Sequence, residues 1–235
     1  MQKILFLIIT NFWLMQTASA ASYESLRRQC RELMQQNPPQ IKVEYVFGKL
    51  NIDNTKSAEE LITLSKNINP LVAQTHKIQG LTQLMFSTTM NVETFAQSVD
   101  ENNICVMPKT VFLHLYFDNP TIYMANTLKP NTCRWNLVMR HEQTHVDIGH
   151  AYFKQMAFEL KEKLQSIVNM KSPKIYSYRE YSKNNQNMAQ KTLQEYEKAL
   201  RPTVNILQKK LLKQQSLLDT AENYQKETKL CPPEE

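Results

Sequence analysis

One long helical pattern in the middle of the chain constrains the fold most. From Thr132 to about Met170, the positions Val138, His141, His145, Ile148, Tyr152 and Met156 recur at intervals of three and four. That spacing stacks side chains on one face of an α-helix. Ser172-Pro173 ends the pattern, since proline lacks the amide that a continuing helix needs. The segments on either side are read as what covers this helix.

On the N-terminal side, residues 22 to 36 form an amphipathic pattern with Leu26, Cys30 and Leu33 on one face, closed by Asn37-Pro38-Pro39. Residues 41 to 47 alternate like a strand, followed by Gly48. Ser57 and Glu60 have capping-box spacing at the start of a helix running to Ile68, before Pro70. Residues 77 to 98 read as one or two strands. Residues 110 to 117 and 121 to 125 read as two more, with Asp118-Asn119-Pro120 turning the chain between them. On the C-terminal side, Leu193, Leu200, Val204, Leu207, Leu211 and Leu218 repeat near heptad spacing. Pro202 is expected to kink that helix or start a new one. Such a short, broken repeat suits a hairpin of helices packing on the domain better than an intermolecular coiled coil.

The first twenty residues read as an export signal: Lys3, an apolar run from Ile4 to Met15, and an Ala18-Ser19-Ala20 end. The apolar run falls short of the ~20 residues of a membrane span, so no stable membrane insertion is expected after cleavage. The destination is the periplasm or the exterior. Removing Lys3 leaves a formal charge of 27 − 22 = +5. The basic residues are dispersed, which argues against nucleic acid as a partner. Three glycines in the whole chain exclude Gly-rich phosphate loops. Cys30, Cys105, Cys133 and Cys231 form an even set in an exported chain and suggest two disulfides, with no C-x-x-C pair among them. The favoured pairing is Cys105–Cys133 with Cys30–Cys231.

The chemistry lies in His141-Glu142-Gln143-Thr144-His145. Histidines four apart on a helix present both imidazoles to one Zn²⁺. The intervening Glu142 is displaced around the helix and can act on water held at the metal, as general base and then as general acid toward a leaving amine. His76 and His114 are read as structural, and Trp135 as a core residue. The third ligand stays open. The metzincin pattern requires Gly and His seven and ten residues after the first histidine, whereas Gly149 and His150 stand eight and nine after His141. On an unbroken helix His150 would face away, by about 180°. Asp147 also points away, and Glu159 lies about 27 Å along the axis. His150, Glu180, Asp219 and Glu222 are carried as candidates. Tyr178, Tyr181 or Tyr224 could place a phenol near a developing oxyanion.

The order of features resembles a bacterial family of secreted zinc-dependent proteases catalogued mainly as a domain of unknown function. The residues that carry the resemblance are Tyr45-Val46-Phe47-Gly48, Glu60-Leu61, Asn69-Pro70, Gly80-Leu81-Thr82, Ile104-Cys105-Val106, Val111-Phe112-Leu113, Cys133-Arg134-Trp135 and the run from His141 to Ile148. The resemblance implies zinc at His141 and His145, with Glu142 catalytic. That family tends to end in a Tyr-Asp-x-x-Thr-x-His-Gly run. The counterpart here, residues 218 to 224, lacks the histidine, so Asp219 or Glu222 would have to substitute.

The expected fold is therefore α+β: a small antiparallel sheet packed on the long histidine-bearing helix, zincin-like, with a helical C-terminal segment. The expected division is a signal peptide at 1–20, a catalytic domain at 21–170 and the helical segment at 171–235. The expected activity is that of a zinc metallopeptidase acting on peptides or proteins, with cell-wall peptides as a variant substrate. The alternative is an envelope scaffold that keeps a structural or vestigial metal site and binds partners through its C-terminal helices.

Overall fold

The computed structural model describes residues 22–68, 78–171 and 173–232. The leader at 1–20, Asn69-Pro70 and His76 lie outside the described residues. In chain order the elements are α1 (22–36), β1 (Gln40–Phe47), β2 (Asn51–Asp53), α2 (Ala58–Ile68), β3 (Gly80–Ser98), β4 (Asn103–Met124), α3 (Cys133–Lys171), β5 (Lys174–Ser177), α4 (Tyr178–Ser216) and α5 (Ala221–Thr228). The chain forms two compact units, each assembled from three chain segments. Of the described residues, the first comprises those up to Lys42, those of Met90–Phe112 and those of Leu164–Ala199, and the second comprises those of Val43–Thr89, of Leu113–Lys163 and from Leu200 on. Among the described residues no helix is long and apolar enough to cross a membrane.

The sheet differs from the expectation. It has five strands, and β1, β2, β3 and β5 all pair with β4. It is neither small nor antiparallel throughout: β3 and β4 are 19 and 22 residues long, and β2 runs parallel to β4, with Asn51 opposite Thr121 and Asp53 opposite Tyr123. Period-2 alternation marks a strand but is silent about its direction. Strand direction follows instead from the connections, and β2 reaches β4 only after α2 and β3 have intervened.

β4 also runs straight through Asp118-Asn119-Pro120, where the sequence suggests a turn. Before this point the buried residues are Val111, Leu113, Leu115 and Phe117; after it they are Ile122 and Met124. The alternation slips by one residue, as a β-bulge requires. Asn119 supplies the positive φ of 34°, and Pro120 is tolerated because a bulge frees its missing amide. Gly48 closes on this spot, donating to the Phe117 carbonyl at 2.8 Å. A Cβ on Gly48 would stand 2.4 Å from the Asn119 nitrogen and 2.7 Å from the Phe117 oxygen, so only glycine fits.

In the second unit α3 lies on the sheet through an aromatic cluster. Phe153 of α3 meets Phe117 of β4 at 4.4 Å and 76°, and Phe86 of β3 at 5.8 Å and 80°. Such edge-to-face pairs contribute about 0.5–1.5 kcal/mol each beyond area burial. Leu61 of α2, Ile122 and Met124 of β4 and Val146 of α3 form the neighbouring core, with half-buried Trp135 packed against it. α3 starts where Thr132 accepts the Trp135 amide at 3.2 Å, and α2 starts with the Ser57–Glu60 capping box as expected.

In the first unit Cys30, Cys105 and Met107 form a core with Leu33, Met34 and Phe95. β5 pairs antiparallel with the start of β4, Asn103 opposite Ser177. α4, whose residues from Leu200 on belong to the second unit, continues through Pro202 as a single helix, so of the expected kink or new start, the new start does not occur. Leu200, Leu207 and Leu211 are buried along it, and that packing holds the helix together across the missing amide.

The disulfides correct the favoured pairing. They join Cys30 to Cys105 and Cys133 to Cys231, and no cysteine is free. Each pair lies within one unit, since α1 packs near the start of β4 and the C-terminus returns to the start of α3. With sequence separations of 75 and 98, each contributes between about 4 and 5 kcal/mol in the chain-entropy model.

Candidate metal centre

α3 places His141 and His145 one turn apart, both buried, with ring centroids 5.0 Å apart. Opposite them, α4 ends at Ser216 and a tight turn leads into α5. The Leu218 amide donates to the Gln215 carbonyl at 3.1 Å, and Asn223 Nδ2 donates to the Leu218 carbonyl at 3.0 Å. Thr220 caps α5 by accepting the Asn223 amide. Asp219 therefore sits at a fixed point in the turn, aimed at α3.

The Asp219 Oδ1 atom lies 3.2 Å from His141 Nε2 and 3.0 Å from His145 Nε2. One ligand atom from each of these three residues falls within 4.8 Å of the other two. The four corners of a tetrahedral zinc shell with bonds of about 2.0 Å stand about 3.3 Å apart. The imidazole–carboxylate spacing thus fits three corners of such a shell. His141, His145 and Asp219 form a possible metal-binding group.

The remaining ring nitrogens are held from the C-terminal side. His141 Nδ1 meets Glu227 Oε1 at 3.1 Å, and His145 Nδ1 meets Gln215 Oε1 at 2.5 Å. Both contacts leave Nε2 as the ligand atom and fix the ring planes, the usual outer-shell arrangement of metal-binding histidines. Gln215 Nε2 also donates to the His145 carbonyl at 3.0 Å, which ties α4 directly to α3. The Tyr224 hydroxyl donates to Asp219 Oδ1 at 2.9 Å, and its ring stacks on His141 at 5.1 Å.

Glu142 is buried beside the histidines. Thr82 of β3 donates to its Oε2 at 2.8 Å. Gly80 passes so close that an added Cβ would lie 2.6 Å from Glu142 Oε1. Burial raises the Glu142 pKa, against the opposing pull of His145, His141 and the Thr82 hydrogen bond. Burial would lower the His141 pKa, but its hydrogen bonds to Asp219 and Glu227 and the charge of Glu142 outweigh that and raise it to about 9. His145 is raised in the same way, chiefly by Asp219 against burial. Asp219 is held well below the usual carboxylate range: burial opposes this, and both histidines and Tyr224 overcome it. The Tyr224 phenol is pushed far up, first by burial and then by the Asp219 charge.

The other candidates fall elsewhere. His150 is exposed and meets the Phe47 ring at 4.5 Å with the planes tilted by 44°. Glu222 pairs with Lys226 on the surface at 2.7 Å. Glu180, exposed, accepts the Ser177 amide and hydroxyl to cap α4. Tyr178, which bonds Ser98, and Tyr181 belong to the first unit, whereas all the site residues belong to the second. Asp147 accepts from Gln143, and Glu159 accepts from Gln155. His114 lies 3.4 Å from Glu44 and is not part of the metal group.

Sequence reading missed Thr82, Gln215 and Glu227. Gln215 carried a signal: it falls four residues after Leu211 on the buried stripe of α4, where a polar side chain demands a partner. Thr82 appears in the sequence only within the Gly80-Leu81-Thr82 run of the resemblance, with nothing to mark its hydroxyl, and Glu227 carried no signal, being an ordinary polar residue on a short helix. No family model, curated protein or solved structure matches this chain.

Proposed function

We propose that the chain is an exported zinc metallopeptidase. The observation that supports this most is the shared oxygen of Asp219, within 3.2 Å of both histidine Nε2 atoms and next to a buried glutamate. Among the described residues three side chains offer ligand atoms to the group. Three protein ligands leave a fourth tetrahedral position for water or substrate, the pattern of catalytic sites, whereas structural sites are closed by four. Nitrogen and oxygen donors of this kind suit zinc. The two disulfides suit an oxidising compartment, in agreement with the export signal read at 1–20.

Zinc, when bound, supplies Lewis-acid polarisation of a carbonyl and lowers the pKa of a water to about 7. Glu142 takes one proton from the attacking water, and Thr82 orients its carboxylate. The water oxygen adds to the scissile carbonyl carbon. Glu142 then returns the proton to the amide nitrogen as the C–N bond breaks, giving a carboxylic acid and an amine, and the second water proton passes from the acid to the amine to leave a carboxylate and an ammonium group. Tyr224, which donates its one hydroxyl proton to Asp219 Oδ1 and lays its ring on His141, holds both of those residues in orientation. Metal analysis with a peptide-cleavage assay tests the reading. The mature protein should carry about one zinc per chain, and chelation or His141→Ala should remove metal and hydrolysis together. A purified protein without zinc that still cleaves peptides would overturn it.

A further inference from the structure

Beside Glu142 and His145 lies a cavity of about 90 Å³. Its titratable acid and imidazole residues are Glu142 and, from the metal group, His145 and Asp219. Ser65, Thr82, Gln215 and Tyr224 add polar groups, and the rest of the wall is aliphatic: Ile78, Leu81 and Leu84 from β3 and the residues before it, and Leu211 and Leu212 from α4. Gly149 lets Leu84 lie against α3, since an added Cβ there would stand 2.5 Å from Leu84 Cδ1. An apolar cavity of about 150 Å³ holds a benzene ring. At three-fifths of that volume, this one has room for roughly four carbons. A charged side chain whose tip reached the leucine-lined part would be desolvated there, away from the polar groups at the metal-group end.

We infer that the cavity is the site's specificity pocket, and that the substrate is a peptide with an uncharged aliphatic side chain, the size of valine or leucine, beside the bond to be cut. The inference rests on the peptidase reading. The cavity opens onto Glu142, so a side chain seated in it brings the adjacent backbone carbonyl to the base. Each methylene lost from that side chain should lower apparent affinity about fourfold, so leucine should exceed alanine by roughly 50-fold. Aspartate and lysine should be rejected more strongly.

The test uses the zinc-loaded full mature chain and two readouts. Wild type is assayed for kcat/KM on a peptide series in which one position is Ala, Val, Leu, Phe, Asp or Lys. Zinc-loaded Glu142→Gln is titrated with the same peptides to read binding without turnover. The expected result is tightest binding and fastest cleavage for Val or Leu, with Leu212→Ala moving the optimum to Phe in both readouts. Selective binding of the Leu peptide without cleavage by wild type would sustain the pocket and overturn the peptidase reading. Binding or cleavage without preference, a preference for a charged residue, no peptide binding, or an optimum unmoved by Leu212→Ala would overturn the pocket.

Discussion

Gly80→Ala tests how tightly the base is placed. The new Cβ would stand 2.6 Å from both Glu142 Oε1 and Val138 Cγ1 and 2.7 Å from Glu142 Cγ, whereas ordinary contact begins at 3.4 Å. The Glu142 side chain would therefore have to retreat by 3.4 − 2.6 = 0.8 Å, or β3 would have to lift away. Overpacking of this kind costs about 1–3 kcal/mol of stability, which the disulfides allow the fold to absorb. The histidines and Asp219 are untouched by the added methyl, so zinc content should stay at wild-type level. A misplacement approaching 1 Å costs on the order of 100-fold in rate. The assay is steady-state peptide hydrolysis on samples matched for zinc and folded fraction. A Gly80→Ala protein that folds, holds zinc and turns over within threefold of wild type would refute the placement of Glu142 as the base.

Glu227→Gln should lower zinc affinity by about 10- to 100-fold, read by competition with a chelating dye, since it weakens the partner of His141 Nδ1 without touching a ligand. Cys231→Ser should lower the melting temperature and weaken zinc retention together, because the Cys133–Cys231 bond fastens the segment carrying Gln215, Asp219 and Glu227 to the start of α3; unchanged zinc retention would contradict this. The pH dependence has a defined sign. In chelator-treated protein the folded-state pKa of His141 is raised to about 9 from 6.5, so its contribution to stability is full below 6.5 and fades as pH rises through 9. Zinc competes with those protons, so the melting-temperature gap between zinc-loaded and chelator-treated protein should widen from pH 6 to pH 9. A constant gap would contradict the assignment of His141 as a ligand.

Much of the site was legible because its chemistry is local. His141, Glu142 and His145 sit on one helix whose period is written in the sequence, and Ser57 with Glu60 fixed the start of α2 in the same way. Asp219 was one of four candidates, and no local rule could choose among them. Its selection depends on how the turn between α4 and α5 returns to α3, which is a tertiary outcome. The same reason explains the disulfide pairing, since which cysteines meet depends on packing rather than spacing. The bulge at Asn119 shows another limit. Asp-Asn-Pro suits a turn and a bulge equally, and only the slip in alternation from Phe117 to Ile122 separates them. Strand direction within the sheet was likewise outside the reach of an alternation pattern.

The central claim is that Glu142 performs the chemistry at a zinc held by its neighbours, and Glu142→Gln tests it most directly. The substitution keeps the shape and the Thr82 contact but removes the base. The account predicts about one zinc per chain in both wild type and variant, with peptide hydrolysis in wild type and none measurable in the variant. A variant that hydrolyses peptides as fast as wild type, or a wild type that binds no zinc, would contradict it.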